Sequence, residues 1–180
     1  NHSLQWGYPN EIIWYEDPLL KSIRQLYAGQ GWWFSKNNIE QYMAQFDIHC
    51  PIMKMSHHES HAAAGYYTSK FKDATIIVID SIGEFETLTV WEGDNDQLHE
   101  IFSQSYPHSV GLWYSAMTAR LGLKPNEDEY ILMGMAAYGD PRRFSSEIFE
   151  TFFDTKPSKF EDWFGTFPKL KLKHNLHRGC

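Results

Sequence analysis

Three histidines lie within five positions, in the stretch HHESH at residues 57 to 61. His57 and His61 are four residues apart, so on a helix they share one face, with about 6 Å between the starts of their side chains. Two imidazoles at that spacing suit a single transition-metal ion. The alternative is a polar helix start with hydrogen-bonded or solvated imidazoles, since nine histidines in 180 residues give such pairs by chance. Spacing alone leaves both interpretations open.

A carboxylate ends the clearest predicted strand, ATIIVID at residues 74 to 80. A continuous apolar run of this kind is typical of a strand buried on both faces. Ligands of α/β sheets gather beyond the carboxyl ends of strands, which makes Asp80 a candidate for a metal or phosphate site. The simpler interpretation is a turn aspartate that accepts a hydrogen bond from the backbone N–H of Ile82 or Gly83.

The turn that follows reads SIGE. Its backbone N–H groups, around Ser81 and Gly83, can point at a phosphate, although one glycine is a thin signal for such a loop. Glu84 either orients a bound group or is a solvated strand end. Both interpretations stay open on the sequence.

The elements that must hold these residues follow from periodicity and from capping residues. Strands are predicted at residues 51–56, 74–80, 85–92 and 97–105, and residues 74 to 105 read as an antiparallel meander. Helices are predicted at residues 16–29, 37–46, 57–67, 109–122, 126–139 and 142–153. Ser109 is a natural N-cap, while Gly29 and Gly122 are natural helix ends.

The remaining charged clusters have ordinary explanations. The carboxylates at residues 127 to 129 favour the dipole of a helix start. Arg142 and Arg143 can meet a phosphate but more often are solvated. The terminal KLKLKHNLHRGC is a basic patch that either receives an anion or protects a strand edge.

Composition narrows the function classes. A net charge of −7 argues against a nucleic-acid binder that relies on a broad basic face. Cys50 and Cys180 form no disulfide framework, which favours a reducing, cytoplasmic setting. We expect no membrane partner, because no apolar run approaches the ~20 residues of a membrane span. The length suits one domain, and the missing initiator methionine suggests a piece of a longer protein.

Four stretches in this order resemble one family: HHESHAAAGYYTSKF, VIDSIGE, HSVGLWYSAMTARLGLKPNEDEYILMGMAAYGDP and HNLHRGC. They look like the O-carbamoyltransferases that act on nodulation factors and in antibiotic biosynthesis. The resemblance runs from about Ile13 to Cys180, and its first and third motifs are long and specific.

The resemblance implies an α/β fold of the actin-like ATPase (ribonuclease H-like) type, related to the tRNA threonylcarbamoyl transferases, with residues 1–180 as a single incomplete domain. It implies that His57, His61 and Asp80 are the catalytic metal ligands, usually for iron or another divalent transition metal. The hairpin residues Ser81, Gly83 and Glu84 would bind nucleotide or phosphate. A further aspartate ligand lies later in the family chain.

The implied reaction has two steps. Carbamoyl phosphate and ATP give carbamoyl-adenylate in a separate domain, with magnesium as a possible helper. A hydroxyl of a sugar-like or natural-product acceptor then takes the carbamoyl group. Neither the acceptor nor the oligomeric state can be read from the sequence.

The chain departs from the family pattern at two positions and lacks several of the family's segments. Ser81 stands where the family usually has glycine, and Ile131 stands where it often has lysine. The family's first phosphate loop, its adenosine-binding segment and its adenylate-forming domain are absent, so we expect this chain to be inactive alone. One alternative is an actin-like module that binds nucleotide or a partner without transfer. Another is a metal site that only stabilises the fold.

Overall fold

A computed structural model of the chain describes residues 7–27 and 39–152. The chain divides into two compact units, the first comprising residues 1–70 and 83–85 and the second residues 71–82 and 86–180. The predicted helix end at Gly29 and the basic terminal segment lie outside the described residues. Within them, no helix is long and apolar enough to cross a membrane.

The first unit contains two short parallel strands, β1 (Ile12–Trp14) and β2 (Ile52–Lys54). Each strand leads into a helix, β1 into α1 (Pro18–Tyr27) and β2 into α3 (His57–Tyr67), while α2 spans Ile39–Ala44. Because parallel strands have their carboxyl ends at the same edge, α1 and α3 both begin at that edge.

Local capping explains where α1 begins. The Asp17 carboxylate accepts hydrogen bonds from the backbone N–H groups of Leu19 at 2.8 Å and Leu20 at 3.3 Å. Pro18 occupies the first helical position, where a missing N–H costs nothing. The predicted start at the Asp-Pro pair is confirmed.

The second unit contains an antiparallel sheet in the order β3 (Asp73–Ile79), β4 (Glu86–Asp94), β5 (Gln97–Ser105). The predicted meander is confirmed. The prediction that its first strand is buried on both faces is wrong, because Val78 is 7% exposed but Ile77 is 62% exposed. β3 is an edge strand of the described sheet, so one of its faces remains open in these residues.

Three helices follow in the described part of the second unit: α4 (Val110–Arg120), α5 (Glu129–Ala136) and α6 (Ser145–Phe152). Ser109 caps α4 by accepting a hydrogen bond from Leu112 N–H, and Gly122 ends it with φ +78°, both as predicted. Helix α5 begins three residues later than predicted, because Asn126 has φ +65°. Hydrogen bonds from the Asn126 N–H and the Ser115 hydroxyl lower the pKa of Glu129.

The described residues thus form a mixed α/β structure with one parallel and one antiparallel sheet. The α/β class is confirmed at this level. The actin-like assignment and the single incomplete domain remain predictions.

Candidate metal centre and phosphate turn

A capping pattern fixes the start of α3. The Ser56 backbone is extended (φ −65°, ψ 151°), and its hydroxyl oxygen accepts a hydrogen bond from the backbone N–H of Glu59 at 3.3 Å. Serine followed three residues later by glutamate is the sequence signature of a capping box. Since the cap lies at Ser56, the helix begins at His57 and carries both candidate ligands in its first turns.

The two candidate ligands turn their rings toward each other. The Nε2 atoms of His57 and His61 are 3.1 Å apart, and the ring centroids are 4.7 Å apart. His58 is buried and His61 is exposed, so the three histidines do not share one environment. The distance between the Nε2 atoms confirms the predicted pairing of residues four apart on one helix face.

The spacing of the two Nε2 atoms fits a shared metal ion. With metal–nitrogen bonds of ~2.1 Å, two ligands lie about 3.0 Å apart at a right angle and about 3.4 Å apart at the tetrahedral angle. Without a metal, the same 3.1 Å separation fits a hydrogen bond in which one ring donates its N–H to the other ring's lone pair. Imidazole nitrogen suits zinc, copper, iron and nickel, so the donor set is compatible with iron.

Glu84 joins two helix starts. One of its carboxylate oxygens accepts a hydrogen bond from the backbone N–H of His57 at 3.0 Å. The other accepts from the backbone N–H of Asp17 at 2.7 Å. The side chain lies at the N-termini of α3 and α1, where a negative charge is favourable, and the residue is 3% exposed. Glu84 is thus a buried support of the helix that carries the histidines, and it is not a solvated strand end.

Gly83 allows the turn to approach α3 closely. A Cβ atom at Gly83 would lie 3.0 Å from His58 Cδ2, 3.2 Å from His57 Cβ and 3.3 Å from His57 Cδ2. All of these contacts are with histidine side chains, so any larger residue must displace them. A side chain at this position would therefore fit only if the two histidine side chains moved by a few tenths of an ångström.

We expect Gly83→Ala to destabilise the protein by about 1 to 3 kcal/mol through overpacking, and to shift the His57 ring. Thermal unfolding measures the first effect, and histidine NMR signals report the second. Gly65→Ala is the matched control, because nothing lies within 4 Å of the added atom. Inside helix α3 that change should stabilise by about 0.5 to 1 kcal/mol. Equal stability of the Gly83→Ala and wild-type proteins would contradict the packing argument.

In the second unit, Asp80 follows β3 directly. Its backbone N–H donates to the carbonyl oxygen of Thr87 at 3.1 Å, and its carboxylate accepts from the backbone N–H of Ser81 at 2.6 Å. The N–H of Ser81 is thus already used by Asp80. The carboxylate therefore acts on the residue next to it, as a turn aspartate does.

Ser81 lies against the start of α4. The Ser109 hydroxyl donates to the carbonyl oxygen of Ser81 at 2.6 Å and accepts from the backbone N–H of Leu112 at 3.1 Å. A Cβ atom on Gly111 would lie 2.8 Å from Ser81 Cα, so the turn and the helix are in close contact. These contacts hold Ser81 against the N-terminus of α4.

The structure therefore divides the predicted site residues between the two units. His57, His61, Gly83 and Glu84 belong to the first, and Asp80 and Ser81 belong to the second. The sequence motifs singled out these residues as candidates but not the partners of Ser81, which are Ser109 and Gly111. No sequence signal points to those partners, because they lie about 30 positions from Ser81.

The class of protein is established by comparison with known families. The model of the carbamoyltransferase N-terminus family matches residues 22–177, which is most of the chain. The chain belongs to this family, as its motifs predicted.

Several curated proteins are similar to part of the chain. The uncharacterized protein sll1178 of Synechocystis is 40% identical over 106 residues, covering 59% of this chain and 17% of that protein. Nodulation protein NolO of Bradyrhizobium diazoefficiens is 34% identical over 100 residues, covering 56% of this chain and 18% of its own length. Nodulation protein NolNO of Sinorhizobium fredii is 33% identical over 103 residues, covering 57% of this chain and 15% of that protein. The matched segment thus spans less than a fifth of each relative.

Proposed function

We propose that the full-length protein is an O-carbamoyltransferase, which transfers a carbamoyl group to a hydroxyl of a sugar-like or natural-product acceptor. The observation that carries the proposal is the family match over residues 22–177. The paired imidazoles of His57 and His61 at 3.1 Å support it, because they fit a metal centre. Two of the relatives are named nodulation proteins, in line with the resemblance to carbamoyltransferases that act on nodulation factors.

We assign His57 and His61 as metal ligands and Asp80 as a third ligand, with iron or another divalent transition metal as the ion. When bound, the metal supplies Lewis-acid stabilisation of charge on a phosphate or carbamoyl oxygen. The chain itself supports the role of Asp80. Only three peptide steps, a span of at most ~11 Å, separate it from Gly83, whose backbone approaches His57.

Ser81, Gly83 and Glu84 would contribute in different ways to binding a phosphate. Ser81 offers its hydroxyl, because its N–H already donates to Asp80. Gly83 is buried and shapes the turn, because the absence of a side chain lets its backbone pack against His57. Glu84 acts indirectly: both of its oxygens accept bonds from backbone N–H groups, and a buried carboxylate would repel a phosphate. In this proposal Glu84 sets the position of the turn and does not contact the nucleotide.

The proposed reaction has two steps. Carbamoyl phosphate, ATP and one water molecule, with magnesium, yield carbamoyl-adenylate, pyrophosphate and inorganic phosphate in another part of the full-length protein. The acceptor oxygen then attacks the carbamoyl carbon and forms a new C–O bond. The C–O bond to the adenylate phosphate breaks, and AMP leaves with its electron pair. The acceptor hydroxyl proton passes to a base or to solvent, and the product is a carbamate ester.

Incubating the full-length protein with carbamoyl phosphate, ATP and a panel of sugar acceptors tests this proposal. We expect a product heavier by one carbamoyl group and an equal amount of AMP, both absent when carbamoyl phosphate is omitted. Binding of ATP without AMP or carbamate formation for any acceptor favours instead a nucleotide- or partner-binding module, in which Ser81 and Ile131 replace the family's usual glycine and lysine.

A further inference from the structure

Tyr15 completes a row of ring contacts that ends at the two candidate ligands. It follows β1 directly, at the same edge of the parallel sheet as the start of α3. Its ring centroid lies 5.8 Å from that of His57, with an interplanar angle of 60°. His57 in turn meets His61 at 4.7 Å and 73°. Both contacts are of the edge-to-ring type that aromatic rings prefer at such distances.

Several contacts surround His57 besides the ring of Tyr15. The bond from its N–H to Glu84 holds the main chain, because it acts on the backbone nitrogen. Rotation about the last side-chain torsion is broad for histidine, so groups packed against the ring help to keep Nε2 toward His61. Gly83 lies on one side of the His57 ring, where an added Cβ atom would be 3.3 Å from His57 Cδ2. The Tyr15 ring is a further boundary.

We infer that Tyr15 is a positioning residue, which holds the His57 ring with its Nε2 toward His61. Tyr15 thereby preorganises the two histidines for binding one metal ion. The inference rests on the proposed function where it concerns metal binding. The ring does the work, so the phenol oxygen is dispensable. Tyr15 is 45% exposed, and its loss therefore removes little core packing. This separates a positioning effect from a general loss of stability.

The test compares Tyr15→Leu and Tyr15→Phe in the full-length protein. Tyr67→Leu is the matched control, because Tyr67 is also half-exposed (54%) and its ring contacts Tyr66 at the other end of α3. Histidine-selective NMR of the metal-free protein, assigned with a His57→Asn variant, reports the His57 ring. A cobalt(II) titration followed by visible absorption reports the dissociation constant and the coordination geometry.

In Tyr15→Leu we expect shifted and broadened His57 signals and cobalt binding weakened roughly 2- to 12-fold. Tyr15→Phe should restore both, and Tyr67→Leu should change neither. Unchanged His57 signals in Tyr15→Leu would overturn the inference, as would weakening in Tyr15→Phe equal to that in Tyr15→Leu. If the wild-type protein binds no cobalt, the metal centre of the proposed function fails, while the metal-free NMR comparison still decides whether Tyr15 positions His57.

Discussion

Replacing both His57 and His61 with alanine should lower the rate of carbamoyl transfer by at least about 10³-fold, because Lewis-acid stabilisation of developing charge contributes several kcal/mol. The imidazoles are on the first turns of α3, and their Nε2 atoms meet at 3.1 Å. Alanine is a strong helix former, so the helix itself should persist. The measurement is kcat/KM of the full-length protein for the acceptor, beside its melting temperature.

His99→Ala is the matched control, because His99 is exposed on β5 and should tolerate the change. A double variant that keeps wild-type kcat/KM would contradict the catalytic assignment. A double variant in which the melting temperature and the activity both fall would favour a metal site that only stabilises the fold. Activity lost at an unchanged melting temperature is the result that we expect.

Replacing Glu84 with alanine should destabilise the protein by about 2 to 4 kcal/mol, because it removes the acceptor of two helix-start N–H groups at once. The backbone N–H groups of Asp17 and His57, at 2.7 and 3.0 Å from the carboxylate, are both part-buried and would lose their partner. The charge interaction with the N-termini of α1 and α3 is lost as well. Thermal unfolding measures the change.

Glu84→Gln separates charge from shape, because the amide keeps one acceptor oxygen but turns an NH₂ group toward the other backbone N–H. We expect its stability to lie between those of the wild-type and alanine proteins. Glu11→Ala is the control for loss of an exposed carboxylate in the same unit, with an expected change below about 0.5 kcal/mol. A Glu84→Ala protein as stable as Glu11→Ala would show that the carboxylate does not support the helix starts.

Local chemistry made several elements predictable. Helix α3 has the bounds expected from its composition, since Ser56 is a good cap and residues through Tyr67 favour a helix. Helix α4 begins and ends where Ser109 and Gly122 indicated. The pairing of His57 with His61 followed from helix geometry alone. In each case the deciding interaction lies within a few residues.

Features that depend on distant partners were not predictable from local patterns. The bonds of Glu84 join residues 67 and 27 positions apart, and its sequence context was equally typical of a solvated strand end. The contact between Tyr15 and His57 has no sequence signature. The apolar run at residues 74–80 indicated burial on both faces, but Ile77 and Ile79 are exposed, because periodicity does not report whether a strand lies at an edge.

Elemental analysis of the purified full-length protein tests the proposed metal centre. The comparison is between the wild-type protein, the His57→Ala/His61→Ala variant and the His99→Ala control, all prepared without added chelator. We predict about one iron or other transition-metal ion per chain in the wild-type and control proteins, and its loss in the double variant. A double variant that retains the wild-type metal content, or a wild-type protein that contains none and takes up none on titration, would contradict the assignment.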